Sequence, residues 1–417
     1  MKHIIVGAGP AGVVAAETLR KADPNAEITM IGDEPEPPYS RMAIPYYLID
    51  NIEESGSYLR DPAKHFQSQN IEVVQQKVDK VDTAAKQVVL ADGSTRVYDK
   101  LLLATGSHPV SPPIPGLDLP QVHSCWTLED SRNIIRLAQT GSNVVLIGAG
   151  FIGCIILEAL VKRGVNLTVV ETGNRMVPRM LDDKAGGLLE TWCKGQGIDV
   201  HTSCSVESIT AADNDQVEVS LSDGGKLSAA LVITATGVKA NTDLLEGTDI
   251  ETDFGVLVNK RMQSSNADVY AAGDVAQGVD FSTGNQEVQA IQPTATDHGR
   301  IAALNMAGKG EEHHGTLNMN VLDTVGLISC SFGLWMGAEG GESAELYNPD
   351  QYQYINLQFD GNLLVGASAV GKTQHVGVLR GLIESKIELG DWKSKLMADP
   401  TLVMDAYIAC TQELGYS

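Results

Sequence analysis

Two parts of the chain share one alternation of apolar and small residues. IIVGAGPAG at 4–12 returns as VLIGAGFIG at 145–153. In each, a β-branched apolar run meets a glycine-punctuated turn and continues into a segment of helical character, VVAAETLRKA in the first and CIILEALVKRG in the second. The pattern predicts two strand–turn–helix units. Three further apolar runs end in small-residue turns: LLLATGSHP at 101–109, LVITATGVKAN at 231–241 and VYAAGDVA at 269–276. Towards the end, GLISCSFG at 326–333 precedes YINLQFDGNLLVGASAVG at 354–371, whose alternation about a DGN turn predicts a hairpin. VGVLRGLIESKIEL then reads as an amphipathic helix.

Composition narrows the class. A chain of 417 residues, 43 % hydrophobic and 20 % charged, has the profile of a globular protein of two or three domains. No run of about 18 apolar residues offers a membrane span. A formal charge of −23 argues against nonspecific nucleic-acid binding, which Lys and Arg drive by neutralising phosphates. MKHIIVGAGPAG enters a strand at once and leaves no room for a signal peptide, so the expected location is cytoplasmic. The six cysteines are scattered, with no CxxC, so neither a metal site nor a disulfide framework is expected.

The glycine turns carry the first chemistry. Gly7 and Gly148 permit the tight turn, Gly9 and Gly150 let backbone approach a pyrophosphate, and Gly12 and Gly153 let the helix lie close to its strand. The helix N-terminus stabilises that anion without a lysine. The second strands carry candidate sugar readers: ITMIGDE ends with Asp33 and Glu34, and LTVVE ends with Glu171, 21 residues after Gly150. A carboxylate there accepts hydrogen bonds from a ribose 2′-OH and repels a 2′-phosphate, which favours NAD over NADP. Arg175, four residues on, leaves a phosphate partner open. Asp274, following Gly273, is placed to hold a ribityl hydroxyl chain.

GAGPAG, ATGSHP, GAGFIG with Glu171, TATG and AAGDVA, in this order and over nearly the whole chain, resemble the FAD- and NAD-linked reductases of the pyridine nucleotide–disulfide oxidoreductase superfamily. The resemblance implies an α/β fold with two Rossmann-like domains and a C-terminal α+β interface domain. The implied FAD domain spans residues 1–111 and 239–316, the NAD domain 112–238 and the interface domain 317–417. Motif by motif, it adds Pro10, Ala11, Ala104, Thr105, Gly106, Phe151, Ile152, Gly237 and Gly273 to the cofactor contacts.

PPYSRMAIPYYL at 37–48 is similar to the LPYxRPPLSK segment of rubredoxin and ferredoxin reductases, which starts a helix along the flavin. Two departures stand out: the relatives' lysine beside the flavin aligns with Tyr46, and its glutamate partner with Ile155. Loss of both halves is coherent, since either alone leaves an uncompensated buried charge. Tyr46 and Arg41 are then the candidate polar contacts at the reacting centre. Disulfide reductases of this superfamily carry cysteine on the flavin-side helix, and residues 33–60 here contain none.

The implied activity is therefore electron transfer between NADH and an iron–sulfur or rubredoxin-like partner without a protein thiol. The setting expected is a larger complex, of the kind formed by NAD-linked 2-oxoacid oxidoreductases such as phenylglyoxylate dehydrogenase. The chain has no iron–sulfur cysteines of its own, which assigns any such centre to the partner. The alternatives are a free-standing NADH oxidase or diaphorase, and a noncatalytic flavin-binding scaffold. GKGEEHHG at 308–315 reads as a solvated linker.

Overall fold

A computed structural model describes residues 1–414. The chain divides into two compact units, Met1–Val110 with Val238–Thr316, and Ser111–Gly237 with Leu317 onwards. No helix among the described residues is long and apolar enough to cross a membrane.

The first unit is built on a five-stranded parallel sheet, in the order Val269–Ala271, Lys100–Leu103, Lys2–Val6, Glu27–Gly32 and Ile71–Gln75. Its strands are continuous apolar runs because both faces are covered. Ile5, Met30, Leu101, Leu102 and Leu103 are fully buried, and Ala15, Ala16 and Leu19 from the Pro10–Ala22 helix join the same core. The Gln292–Met306 helix packs closely on that helix: a Cβ added to Gly299 would come within 2.3 Å of the Ala11 carbonyl oxygen. His298 on the same helix is buried, and burial followed by the neighbouring His313 holds its imidazole down to about 3.

His313 corrects the reading of the 308–315 stretch as solvated. It is 5 % exposed and reaches Asp297 at 3.3 Å. A run of polar residues hid a histidine that fills a gap beside His298, with ring centroids 4.8 Å apart.

The second unit holds another parallel sheet, in the order Asp199–His201, Asn166–Val170, Asn143–Ile147, Leu231–Thr234 and Val122–Ser124. Its remaining large element is a five-stranded antiparallel sheet of Met319–Thr324, Leu327–Gly333, Leu363–Val370, Gln353–Asp360 and Glu342–Asn348. The expected hairpin about Asp360–Gly361–Asn362 lies in it, and the expected helix runs Val376–Ser385. One face of this sheet carries polar groups inward. Tyr354 is fully buried and donates its hydroxyl to Asp182, the N-cap of the Asp183–Gly195 helix.

Candidate functional site

Each glycine turn joins a central strand of its sheet to a helix N-terminus. In the first, Gly7 has φ +116°, and an added Cβ would come within 1.9 Å of the Ala104 carbonyl oxygen. Only glycine fits. This brings Ala104 and Thr105 beside the turn, and Gly273 lies against Ala11 in the same way, with Cβ approaches of 3.3 Å. Three separate sequence motifs thus meet at one edge of the first sheet. In the second unit Gly148 closes on Ala235 and Gly153 on the Gly148 carbonyl, at 2.5 and 2.2 Å. Phe151 and Ile152 open the helix and are half-buried. Gly237 ends the neighbouring TATG turn with φ +112°.

Gly9 and Gly150 behave differently. A Cβ at either meets nothing within 4 Å. Both are the N-cap of their helix, in extended backbone, and neither helix has a side-chain cap. First-turn N–H groups therefore remain for an anion over an open cradle. That is the arrangement a dinucleotide pyrophosphate needs, so the residues present fit a dinucleotide cofactor in each unit.

Around the first cradle, Ser107 donates to Asp274 Oδ2 at 2.8 Å. Burial pushes the Asp274 carboxyl up, while the Ser107 hydrogen bond and the Arg41 charge pull it back. The turn holding Ser107 is pinned by Asn241, whose amide donates to the Thr105 carbonyl at 2.7 Å and whose own carbonyl accepts the Thr105 hydroxyl at 2.9 Å. Ser107 and Asn241 sit inside motifs quoted from the sequence, but their partners lie 167 and 136 residues away.

The PPYSR stretch resolves into a compact cluster. Arg41 donates to Glu34 Oε1 and to the Tyr39 hydroxyl, both at 2.6 Å, and Tyr39 donates to Glu34 Oε2 at 2.5 Å. Glu34 and Arg41 are thus brought together with Tyr39, which sequence reasoning missed. Asp33 is exposed and stands outside this cluster. Tyr46 stands apart too: it lies on the five-residue Ile44–Leu48 helix and is 56 % exposed.

Glu171 takes a position that the end-of-strand reading did not foresee. It is 8 % exposed, with Oε2 accepting the Ala149 N–H at 2.7 Å and Oε1 accepting the Gly173 N–H at 2.6 Å. Its carboxylate holds the glycine turn itself; Oε1 also accepts the Thr172 hydroxyl at 3.3 Å, and Oε2 retains a lone pair for another donor. Arg175 is occupied: its guanidinium donates to Leu181 O at 2.9 Å and to Asp183 at 2.7 Å. The second cradle therefore presents a carboxylate and an already-paired arginine.

All six cysteines are buried and free of disulfides. Burial pushes Cys125, Cys193 and Cys330 up to about 12, and Cys154 higher still. No group of three or more metal-ligating side chains occurs among the described residues.

Comparison with known proteins agrees with this geometry. A family model described as pyridine nucleotide-disulphide oxidoreductase matches residues 1–299. The chain is 32 % identical, over 96 % of its own length and 96 % of the relative's, to the NADH-dependent phenylglyoxylate dehydrogenase subunit epsilon of Aromatoleum evansii. It is also 32 % identical to an NADH oxidase of Methanocaldococcus jannaschii, over 77 % of this chain and 73 % of that one. Among solved structures, a covalent putidaredoxin reductase–putidaredoxin complex superposes with a TM-score of 0.90 at 24 % identity, covering 98 % and 99 % of the two chains, which shows a shared fold. With both cradles built and the family model spanning most of the chain, the protein belongs to the pyridine nucleotide-disulphide oxidoreductase family and is an FAD-dependent NADH oxidoreductase.

Proposed function

We propose that this chain passes electrons between NADH and an iron–sulfur or rubredoxin-like partner, as the flavoprotein subunit of a larger oxidoreductase complex of the 2-oxoacid dehydrogenase kind. The observation that carries this reading is the end-to-end likeness, 96 % of both chains, to a subunit of an NADH-dependent phenylglyoxylate dehydrogenase. The absence of any cysteine from residues 33–60 supports it, since electrons then leave without a thiol relay. FAD supplies the chemistry of taking two electrons together and releasing them singly.

The chain's residues divide the work. Residues 1–111 and 239–316 form the FAD domain, 112–238 the NAD domain and 317–417 the interface domain. Gly7, Gly9, Pro10, Ala11 and Gly12 with Ala104, Thr105 and Gly106 form the FAD pyrophosphate side. Glu34, oriented by Arg41 and Tyr39, receives the adenosine ribose. Asp274, oriented by Ser107, receives the ribityl hydroxyls. Gly148, Gly150 and Gly153, followed by Phe151 and Ile152, hold the NAD pyrophosphate. Tyr46 supplies a polar contact near the reacting ring, while Arg41 serves Glu34 instead of acting as a second such contact. Purification under gentle conditions tests the complex directly: iron and further polypeptides should remain attached in fixed ratio. A single flavin-loaded chain without iron would favour the free-standing NADH oxidase reading, which the likeness to the Methanocaldococcus enzyme supports.

Nucleotide choice follows from Glu171. NADH should be strongly preferred, and Glu171→Ala should lower kcat/KM for NADH by about 10- to 100-fold, the worth of a charge-assisted hydrogen bond. Equal wild-type efficiency with NADPH would contradict this. Because Glu171 also satisfies the Ala149 and Gly173 N–H groups, the same variant should be less stable by about 1–3 kcal/mol per orphaned donor. Glu171→Gln, which keeps one acceptor, should lose less stability than Ala in a thermal melt.

Thiol chemistry should be dispensable. Native-state alkylation is expected to leave NADH-to-dye turnover nearly unchanged, because every cysteine is buried and four of the six thiols are held well above the ordinary range. Activity lost in step with modification of a single cysteine would return the assignment to a thiol-using reductase.

A further inference from the structure

The C-terminal part of the chain holds a cavity that the nucleotide chemistry leaves unused. Its volume is about 320 Å³, within the range of small-molecule sites. Ile355 and Ala369, cross-strand neighbours in the antiparallel sheet, form the floor. Leu379 of the Val376–Ser385 helix and Val403 of the Val403–Leu414 helix are apolar walls.

The cationic character gathers at one end. Lys372 lines the cavity half-buried, and no carboxylate among the described residues lies within the 4.0 Å of a salt bridge to it. The acid that feels its charge is Asp399, whose carboxylate already accepts the Thr401 N–H and hydroxyl at 2.9 and 2.7 Å. The Val376–Ser385 helix starts here, and its N-cap residue His375, also in the lining, offers no side-chain cap. Of its first-turn N–H groups, those of Val376 and Val378 already donate to the Thr373 and His375 carbonyls at 3.4 and 3.0 Å, which leaves the Gly377 N–H and the positive dipole end to add to the Lys372 charge. An ammonium with no salt-bridge partner among the described residues, beside an apolar floor, is complementary to a molecule with one anionic end and one apolar end.

We propose that this cavity binds a small organic carboxylate with an apolar body. The carboxylate lies between Lys372 and the start of the Val376–Ser385 helix, and the body rests on Ile355, Ala369, Leu379 and Val403. A molecule of about eight to twelve non-hydrogen atoms suits the volume. The site is independent of the electron-transfer reading above.

The test is calorimetric titration of the intact, flavin-loaded protein with benzoate, with its uncharged counterpart benzamide and with inorganic phosphate. Benzoate should bind saturably with a Kd below about 1 mM, and benzamide at least about tenfold more weakly, the expected effect of losing a charged hydrogen bond. Phosphate should not compete, since it has no apolar body. Lys372→Gln should weaken benzoate by about tenfold and Lys372→Arg should restore most of the affinity. NADH-to-dye turnover serves as the folding check on both variants and should be unchanged. No saturable benzoate binding, equal affinity for benzamide, competition by phosphate, or unchanged affinity in a folded Lys372→Gln protein would each overturn the assignment.

Discussion

Gly9→Val is expected to yield a folded protein that purifies without flavin. A Cβ added at Gly9 meets no atom beyond its own chain neighbours within 4 Å, and the residue sits in extended backbone that valine readily adopts. The apoprotein should therefore tolerate it. The same space is where a pyrophosphate would approach the N–H groups of the Pro10–Ala22 helix, and γ-methyl groups there exclude it. Two or more charge-assisted hydrogen bonds, each worth about 1.5–3 kcal/mol, are lost together. FAD affinity should fall by at least about a hundredfold, at 1.4 kcal/mol per factor of ten. Flavin absorbance per chain, read beside far-UV circular dichroism, measures both halves of the expectation. Gly12→Val provides the contrast. Its Cβ would come within 2.0 Å of the Gly7 carbonyl oxygen, so that variant should lose the first unit's fold along with the flavin. A Gly9→Val protein carrying a full flavin complement would contradict the placement of FAD.

Gly150→Val should separate the two nucleotides. Gly150 repeats the geometry of Gly9, as the uncapped N-cap of the Phe151–Lys162 helix with open space where a Cβ would go. The variant should keep its flavin and visible spectrum, because the first unit is untouched. NADH should reduce that flavin at least about a hundredfold less efficiently, while dithionite reduces it as in the parent protein. Loss of flavin from this variant, or undiminished reduction by NADH, would reverse or erase the assignment of the two cradles.

The parts of the molecule that were legible in the sequence are those whose cause is local. A β-branched run, a glycine turn and a helical segment are contiguous, so both cradles and the positions of Gly7, Gly12, Gly148 and Gly153 follow from adjacent residues. The DGN hairpin is legible for the same reason. Side-chain partnerships across the chain were not. Ser107 meets Asp274 across 167 residues, and Tyr354 meets Asp182 across 172, through packing that no spacing encodes. Glu171 shows the limit most clearly. Its place at the end of a strand was evident, but its hold on the Ala149 N–H depends on how two neighbouring strand ends converge. His313 was misjudged because local polarity suggested solvent, whereas Asp297 and His298 on one buried helix gave it a place inside. Tyr46 was singled out by alignment with a lysine in relatives, and its exposure follows from the outward face of a helix only five residues long.

The central claim is that NADH electrons pass through bound FAD and leave singly to a partner, with no protein thiol taking part. The most direct measurement is anaerobic stopped-flow reduction of the flavin by NADH, followed by mixing the reduced protein with air-saturated buffer, with a one-electron dye or with an oxidised ferredoxin-like protein. The account predicts full flavin reduction by about one equivalent of NADH per FAD, as two-electron stoichiometry requires, and reoxidation faster with the one-electron acceptors than with oxygen. Oxygen outrunning every one-electron acceptor, or reduction consuming a second equivalent of NADH per flavin through a titratable thiol pair, would contradict it.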